Sequence, residues 1–518
     1  MSAPEGNAAA PVVRTSPLRR LLKVGCWGCG GTLLLFALLI WGLFLFLDRV
    51  PRSYPPSVDP MDPPAGGAYA SYGLDGFESP YLGHTGSWDG QGGGMLGSSK
   101  VGDLDAEVGM GLRWTFMPVH WSALEPGGPV ELKRSVPPAW KELDGFVVEA
   151  QKRRLNVLMQ VTIGGNAGGP PAWAGRREPG KSAPGDMEAA ASFAAKLAVR
   201  YRPGGTLASE RGWGEAYGVR AWELDNEPNV YFTHWGGQAG DYAEFVTRAA
   251  ARIKAEDPRA LLLLPATTGG ADSPPWIEAA LDAQALNGSP AYRQRGLRHS
   301  IGPVTGGVSF HSYEGLDSAF SGDSRTIERV LDDTRAAFEA WESRAEGFHF
   351  ERKREYWHTE GNFDFLGALS AGRRAAWRIQ FFTRAFAAGI RKVCVMDASV
   401  REQAAVRGYV GALPWPFPMR PADSEVRPLR GHLRAFRHTD AGGTDAGQVW
   451  VLWAVAGAGP ARAEVPALRA RVTLVHVDGT KSEASARGGR ITVELEGDAK
   501  MAPPVLVVDR PTQAGMAR

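Results

Sequence analysis

From about residue 76 to about residue 400 the chain keeps repeating one unit, a short apolar run followed by an amphipathic helical stretch. A strand covered on both faces reads as a continuous apolar run, and a parallel neighbour is reached only through a crossover. The strand-like runs are "MGLRWTFMPV" (110–119), "NVLMQVTIGG" (156–165), "VRAWELDNEP" (219–228), "RALLLLPATT" (259–268), "GVSFHSYEG" (307–315), "EYWHTEG" (355–361) and "RKVCVMDAS" (391–399). "ESPYLGHTG" (78–86) supplies an eighth, weaker one at the start. Eight strand–helix units over roughly 360 residues fit an α/β chain folded as a (β/α)8 TIM barrel with insertions. The competing fold, a doubly wound open sheet, binds its nucleotide on a Gly-rich turn after the first strand. No such turn is present.

The helix expected to close the ring is "VRPLRGHLRAFRH" (426–438), which places the barrel at 76–438. From 446 to 510 the pattern changes to period-two alternation: "GQVWVLWAVAG", "RARVTLVHVDG", "GRITVELEG" and "PPVLVVDR", with turn signals at Asp478-Gly479, Gly488-Gly489 and Gly497-Asp498. This predicts a C-terminal antiparallel β-sandwich module.

The N-terminal side has a different character. Residues Val24 to Leu47, "VGCWGCGGTLLLFALLIWGLFLFL", carry no charge and are long enough to span a bilayer as a helix. Arg14, Arg19, Arg20 and Lys23 precede them, which places residues 1–23 in the cytoplasm and the rest outside. A cleaved signal peptide would end in a small-residue site; "FLFLDRVPRSYPP" offers none. The reading is a transmembrane signal anchor (24–47) followed by a Pro/Gly-rich linker (48–75). Of the three cysteines, Cys26 and Cys29 fall in this helix and Cys394 stands alone, so no disulfide framework is available. The net charge of +2 gives no ground for nucleic acid as a partner.

In a barrel of this kind the chemistry sits at the C-terminal ends of the strands. The fourth strand ends Asp225-Asn226-Glu227-Pro228, the sixth His311-Ser312-Tyr313, the seventh His358-Thr359-Glu360 and the eighth Asp397-Ala398-Ser399. Strands four and seven lie across the ring from each other, so Glu227 and Glu360 can converge over its axis. Two carboxylates about 5 Å apart are what retaining glycoside hydrolysis needs, one as acid/base and one as nucleophile. Asn226 can donate to a sugar hydroxyl beside the reacting carbon, and Pro228 suits a strand's end. With Asn226, His311 and Tyr313 are candidates for substrate contact, and hydrogen bonds from Tyr or His also favour an ionised nucleophile; His120 and His234 read as structural. Aromatic side chains at or after strand ends suit the apolar faces of sugar rings. They are Trp121, Trp173, Tyr231, Phe232, Trp235, Trp357, Phe363 and Trp415, and the first choices for substrate contact are Trp173, Trp235 and Trp357. No cluster has metal-ligand spacing, and two-carboxylate chemistry requires neither metal nor cofactor.

These motifs resemble those of the retaining glycoside hydrolases of clan A, most closely family thirty-nine. "HWSALEPGG" and "PPAWA" look like that family's stretches after strands two and three. "WELDNEPN" is similar to its acid/base motif and "YWHTEGN" to its nucleophile motif, which implies Glu227 as acid/base and Glu360 as nucleophile. The resemblance covers about residues 78–510. It departs at Phe116, where the family has an Arg: either the register differs, with Arg113 in that role, or the contact is lost. The resemblance implies hydrolysis of β-glycosidic bonds in a polysaccharide. With the anchor, it is similar to glycosidases tethered to the bacterial inner membrane beside polysaccharide export machinery, their catalytic domain periplasmic and their substrate an exported exopolysaccharide cut internally. Two alternatives stand beside it: an exo-acting β-xylosidase-like enzyme, and a catalytically inactive membrane-tethered carbohydrate-binding protein.

Overall fold

The structure is a computed structural model. It describes residues 79–83, 103–164, 169–177, 183–215, 217–230, 235, 238–269, 273–282, 301, 304–314, 326–344, 354–361, 369–395, 399–440 and 447–511. The expected anchor and linker, with Cys26 and Cys29, lie outside these residues. So do Tyr231, Phe232, His234, Phe363 and Asp397. Among the described residues, no helix is long and apolar enough to cross a membrane.

Eight parallel strands close into a barrel in sequence order. They are β1 (Tyr81–Gly83), β2 (Trp114–His120), β3 (Asn156–Thr162), β4 (Ala221–Leu224), β5 (Leu261–Thr267), β6 (Gly307–Ser312), β7 (Glu355–Gly361) and β8 (Lys392–Val395). A helix follows each strand: α1 (Asp103–Met110), α2 (Pro138–Lys152), α3 (Met187–Tyr201), α4 (Ala239–Glu256), α5 (Ser273–Leu281), α6 (Ile327–Arg344), α7 (Ala371–Ala387) and α8 (Val400–Ala412). The weak eighth run is therefore real, and β1 completes the ring by pairing with both β2 and β8.

Local chemistry starts several helices. Pro138 opens α2, where a missing N–H costs nothing. The Asp186 carboxylate caps α3 by accepting from Ala189 N at 2.8 Å. Ser399 and Glu402 form a reciprocal capping box on α8. This last helix, and not the segment 426–438, is the one that follows β8.

A second correction concerns 426–438. Val426, Leu429, Leu433 and Phe436 recur at helical spacing, yet the segment forms strands β10 (Arg427–Arg430) and β11 (Leu433–Thr439). Pro428 and Gly431 interrupt any helix there, and Gly431 turns the chain at φ 70°. Strand β11 pairs along its length with β12 (Gln448–Ala454) and on its other edge with β9 (Met419–Pro421). The antiparallel module therefore begins well before residue 446. Strands β13 (Ala461–Pro466), β14 (Arg471–His476), β15 (Lys481–Ser485), β16 (Arg490–Leu495) and β17 (Val505–Asp509) complete it. One sheet has the order β15-β14-β17-β12-β11-β9 and the other β10-β13-β16. Trp450, Leu452, Ala463, Val465, Ile491, Val493 and Val507 belong to one buried cluster within this module.

Inside the barrel the side chains form layers. Leu82, Trp114, Phe116, Leu158, Ala221, Leu263, Trp357 and Cys394 make a closed apolar floor. Side chains two residues further along a strand point the same way one step higher. Leu158 is thus followed by Gln160, and Ala221 by Glu223. The barrel interior changes from apolar to polar within one step, directly below the C-terminal rim.

Candidate active site

Two breaks in regular strand geometry aim the carboxylates. Along β7 the period of two turns Trp357 inward and His358 outward, and would turn Thr359 inward and Glu360 outward. The register of β6 against β7 shifts there: Phe310 pairs with His358, but His311 pairs with Glu360. Thr359 is the extra residue, and the bulge lets Thr359 and Glu360 both face the interior. In β5 the register shifts between Pro265 and Thr267, and the bulged Ala266 takes φ 52°. Its carbonyl accepts from Glu227 N at 3.0 Å. Asp225 and Glu227 themselves adopt φ 70° and 43°. Three non-glycine residues in the left-handed region, two of them joined by a hydrogen bond, store strain of about 1–3 kcal/mol each at a functional rim.

The Asp225 carboxylate stabilises this turn. It accepts from Asn226 N at 2.9 Å and from Gly164 N at 3.2 Å. Burial pushes its pKa up to about 7, against the pull of those backbone donors. Gly164 has no room for a side chain: a Cβ would stand 2.9 Å from the Trp235 ring and 3.2 Å from Asp225 Oδ2.

The two glutamates meet. One carboxylate oxygen of Glu227, one of Glu360 and a ring nitrogen of His311 all lie within 4.8 Å of one another. His311 Nδ1 is 3.0 Å from Glu227 Oε1. The Tyr313 hydroxyl donates to Glu360 Oε1. His311 is fully buried. Burial lowers its pKa, but Glu360, Glu227 and Glu223 outweigh that and hold it at about 9. Its surroundings therefore favour the imidazolium form. Burial, reinforced by Glu360 and Glu227, drives the Tyr313 phenol well above its ordinary value, so it stays a donor. Among the described residues, Glu227, His311 and Glu360 are also the group whose donor atoms could share a cation.

Of the expected substrate-contact residues, Asn226, His311 and Tyr313 stand at the rim with the carboxylates. Trp173 lies on a short turn after β3. It is half-buried, donates from Nε1 to Glu125 O at 2.7 Å, and packs edge-on against Trp121 at 5.3 Å. Trp235 and Trp357 correct the sequence reading, because both are fully buried. Trp235 packs on Tyr242 and Phe245 behind the rim. Trp357 belongs to the apolar floor, edge-on to Trp114 at 5.4 Å with Lys392 Nζ over its ring. Neither can stack on a sugar. Trp121 is also buried. Trp415 lies near Arg391, at the opposite end of the barrel. Phe116 sits in the floor, paired in register with Leu158. Arg113 precedes β2 and is exposed at its lower end, so it does not reach the rim.

Gln160 and Glu223, in the site's surroundings, were missed in the sequence, which did name Thr359 and His120. Gln160, Glu223 and Thr359 are buried polar groups beneath the carboxylates. A Gln inside "NVLMQVT" and a Glu inside "AWEL", both at inward parity, were the available signal. His120 ends β2 on the inward parity of Trp114 and Phe116. Burial lowers its pKa, and its Nδ1 has no partner among the described residues.

No family model matches the chain, and no curated protein does. Solved structures do match. A glucosidase from Croceicoccus marinus is 13% identical, with 83% of this chain and 96% of that one covered and a TM-score of 0.52. A family 51 α-L-arabinofuranosidase from Bifidobacterium longum is 12% identical, with 88% and 97% covered and a TM-score of 0.50. A family 39 β-xylosidase from Caulobacter crescentus is 15% identical, with 88% and 98% covered and a TM-score of 0.49. At such identities the first two likenesses establish the barrel fold.

Proposed function

We propose that this chain is a retaining glycoside hydrolase acting on β-glycosidic bonds of an oligo- or polysaccharide. The observation that carries this is the separation of the two carboxylates. Donor atoms within 4.8 Å of each other suit a nucleophile and an acid/base on one anomeric carbon. An inverting enzyme needs roughly 6.5–9.5 Å to seat a water between them. Glu360 attacks the anomeric carbon as the bond to the leaving oxygen breaks, and Glu227 gives that oxygen a proton. Glu227 then takes a proton from water, whose oxygen displaces Glu360 and restores the original anomeric configuration. His311 supports the first step, with Nδ1 3.0 Å from Glu227 Oε1, close enough to stabilise the carboxylate that Glu227 becomes once its proton has gone. Tyr313 supports the second role, holding the Glu360 carboxylate by a donated hydrogen bond.

The motif resemblance to family thirty-nine and the hydrolase neighbours of the same fold support this reading. The setting is part of the proposal as well. The uncharged run 24–47 behind a basic flank supports a membrane tether with the barrel outside the cytoplasm, and hence an exported polysaccharide as substrate. The test is to incubate the protein with a panel of bacterial and plant polysaccharides and measure new reducing ends, with Glu360→Ala in parallel. Wild-type product that disappears in Glu360→Ala is the expected result. Equal activity in the two would overturn the assignment. For Glu227→Ala, azide should restore turnover of an activated aryl glycoside and leave a glycosyl azide of retained configuration.

A further inference from the structure

A third acidic side chain, on the strand that leads into Glu227, reaches across to the strand that carries Glu360. Glu223, in β4, is fully buried beneath the rim. Its Oε2 accepts from Gln160 Nε2 at 2.8 Å, and its Oε1 accepts from Thr359 Oγ1 at 2.8 Å. The same Gln160 nitrogen donates to Asn226 Oδ1 at 2.9 Å.

We propose that Glu223 is a positioning residue that, through Gln160 and Thr359, sets which face Asn226 shows the substrate and ties the acid/base strand to the nucleophile strand. This rests on the glycosidase reading above. Both oxygens of Glu223 accept, one from Gln160 and one from Thr359. Gln160 must therefore turn its NH2 group, not its oxygen, toward Glu223. The second hydrogen of that NH2 goes to Asn226, which can answer only with its oxygen. The Asn226 NH2 group is left on the other side. Asn226 is half-buried, and among the described residues its Nδ2 makes no hydrogen bond. The carboxylate thus dictates, through two amides, that the site offers a donor rather than an acceptor next to the reacting carbon. A donor there selects glycosides with a free hydroxyl on carbon 2. The other oxygen of Glu223 holds Thr359, the bulged residue that turns Glu360 inward. Burial holds the Glu223 pKa above the ordinary carboxyl value, although His311, Thr359, Ser309 and Gln160 pull the other way.

The test uses the full chain and 4-nitrophenyl β-glycosides. Gln160→Met keeps the length of the side chain and removes both hydrogen bonds. It should lower kcat/KM by about 10- to 100-fold, mostly through kcat. Added to Asn226→Ala it should cost less than about threefold further, because the orientation it controls is gone. On the matching 2-deoxy glycoside, Gln160→Met and wild type should agree within about threefold. Losses that multiply in the double variant, or that persist on the 2-deoxy substrate, would overturn the proposal. Glu223→Leu should show the same pattern; if it does not fold, Gln160→Met still decides. A second arm needs no substrate. Atomic-resolution crystal structures should show one Asn226 amide orientation in the wild type and a flipped or mixed one in Gln160→Met. An unchanged single orientation in that variant would sink the idea. If the wild type cleaves no glycoside, the glycosidase reading fails, and the amide orientation still reports separately on the Glu223 relay.

Discussion

His311 Nδ1 lies 3.0 Å from Glu227 Oε1, and no solvent reaches the imidazole. Three acidic side chains face it and favour its cationic form, which makes the site sensitive to pH in a definite direction.

His311 is held at about 9 in the folded chain, against 6.5 for an ordinary histidine. The stabilisation it supplies is complete below about pH 6.5 and is lost as the pH rises through about 9. The unfolding free energy measured in denaturant across pH 6.5–9 should fall in the wild type, by on the order of 3 kcal/mol in the limit. In His311→Gln the decline should be much shallower. A slope unchanged by the substitution would show that other groups govern this window.

His358 has the opposite sign. It faces outward from β7, with Nε2 3.0 Å from Ser312 Oγ and its ring edge-on to Phe381 at 4.9 Å. Burial, then the neighbouring His311 charge, lowers its pKa to about 3. The neutral ring favours the fold fully above about pH 6.5, and that contribution is lost as the pH falls toward 3. Acid unfolding followed by circular dichroism should begin at lower pH in His358→Gln than expected from its reduced stability at pH 7.

Tyr313→Phe removes one donor from Glu360 and leaves the ring in place. Turnover should fall by about 10- to 100-fold, the scale of one hydrogen bond to a charged group. The melting temperature should change by only a few degrees. Stopped-time assays on the aryl glycoside that the wild type prefers would measure it, and undiminished turnover would remove Tyr313 from the nucleophile's support.

Gly164→Ala tests the packing behind the rim. Its Cβ would meet the Trp235 ring at 2.9 Å, and Trp235 is wedged on Tyr242 and Phe245. The expected cost is about 1–3 kcal/mol in denaturant unfolding, the usual scale for overpacking. Because Gly164 N also donates to Asp225, kcat should fall with stability.

The barrel, its strand order and the two glutamates were legible in the sequence for a physical reason. Strands buried on both faces must be apolar throughout, so the polar ends "DNEP" and "HTEG" stand out against them. Period alone misled at 426–438, where Leu429, Leu433 and Phe436 mimic a helix, while Pro428 and Gly431 break it and pairing with β13 and β12 makes two strands. The aromatics were misjudged at Trp235 and Trp357, since composition gives no exposure and both rings fill core. What only the tertiary structure decided is how the carboxylates are aimed. By the period of two Glu360 should point out of the barrel; the bulge at Thr359, a property of the β6–β7 register, turns it in. Likewise the role of Glu223 exists only where β3, β4 and β7 come together, because a relay through Gln160 and Thr359 joins residues that are 63 and 136 positions apart. Local sequence determines the kind of element and the chemistry it carries. The meeting of distant strands, and the bulges that meeting imposes, determine where that chemistry points.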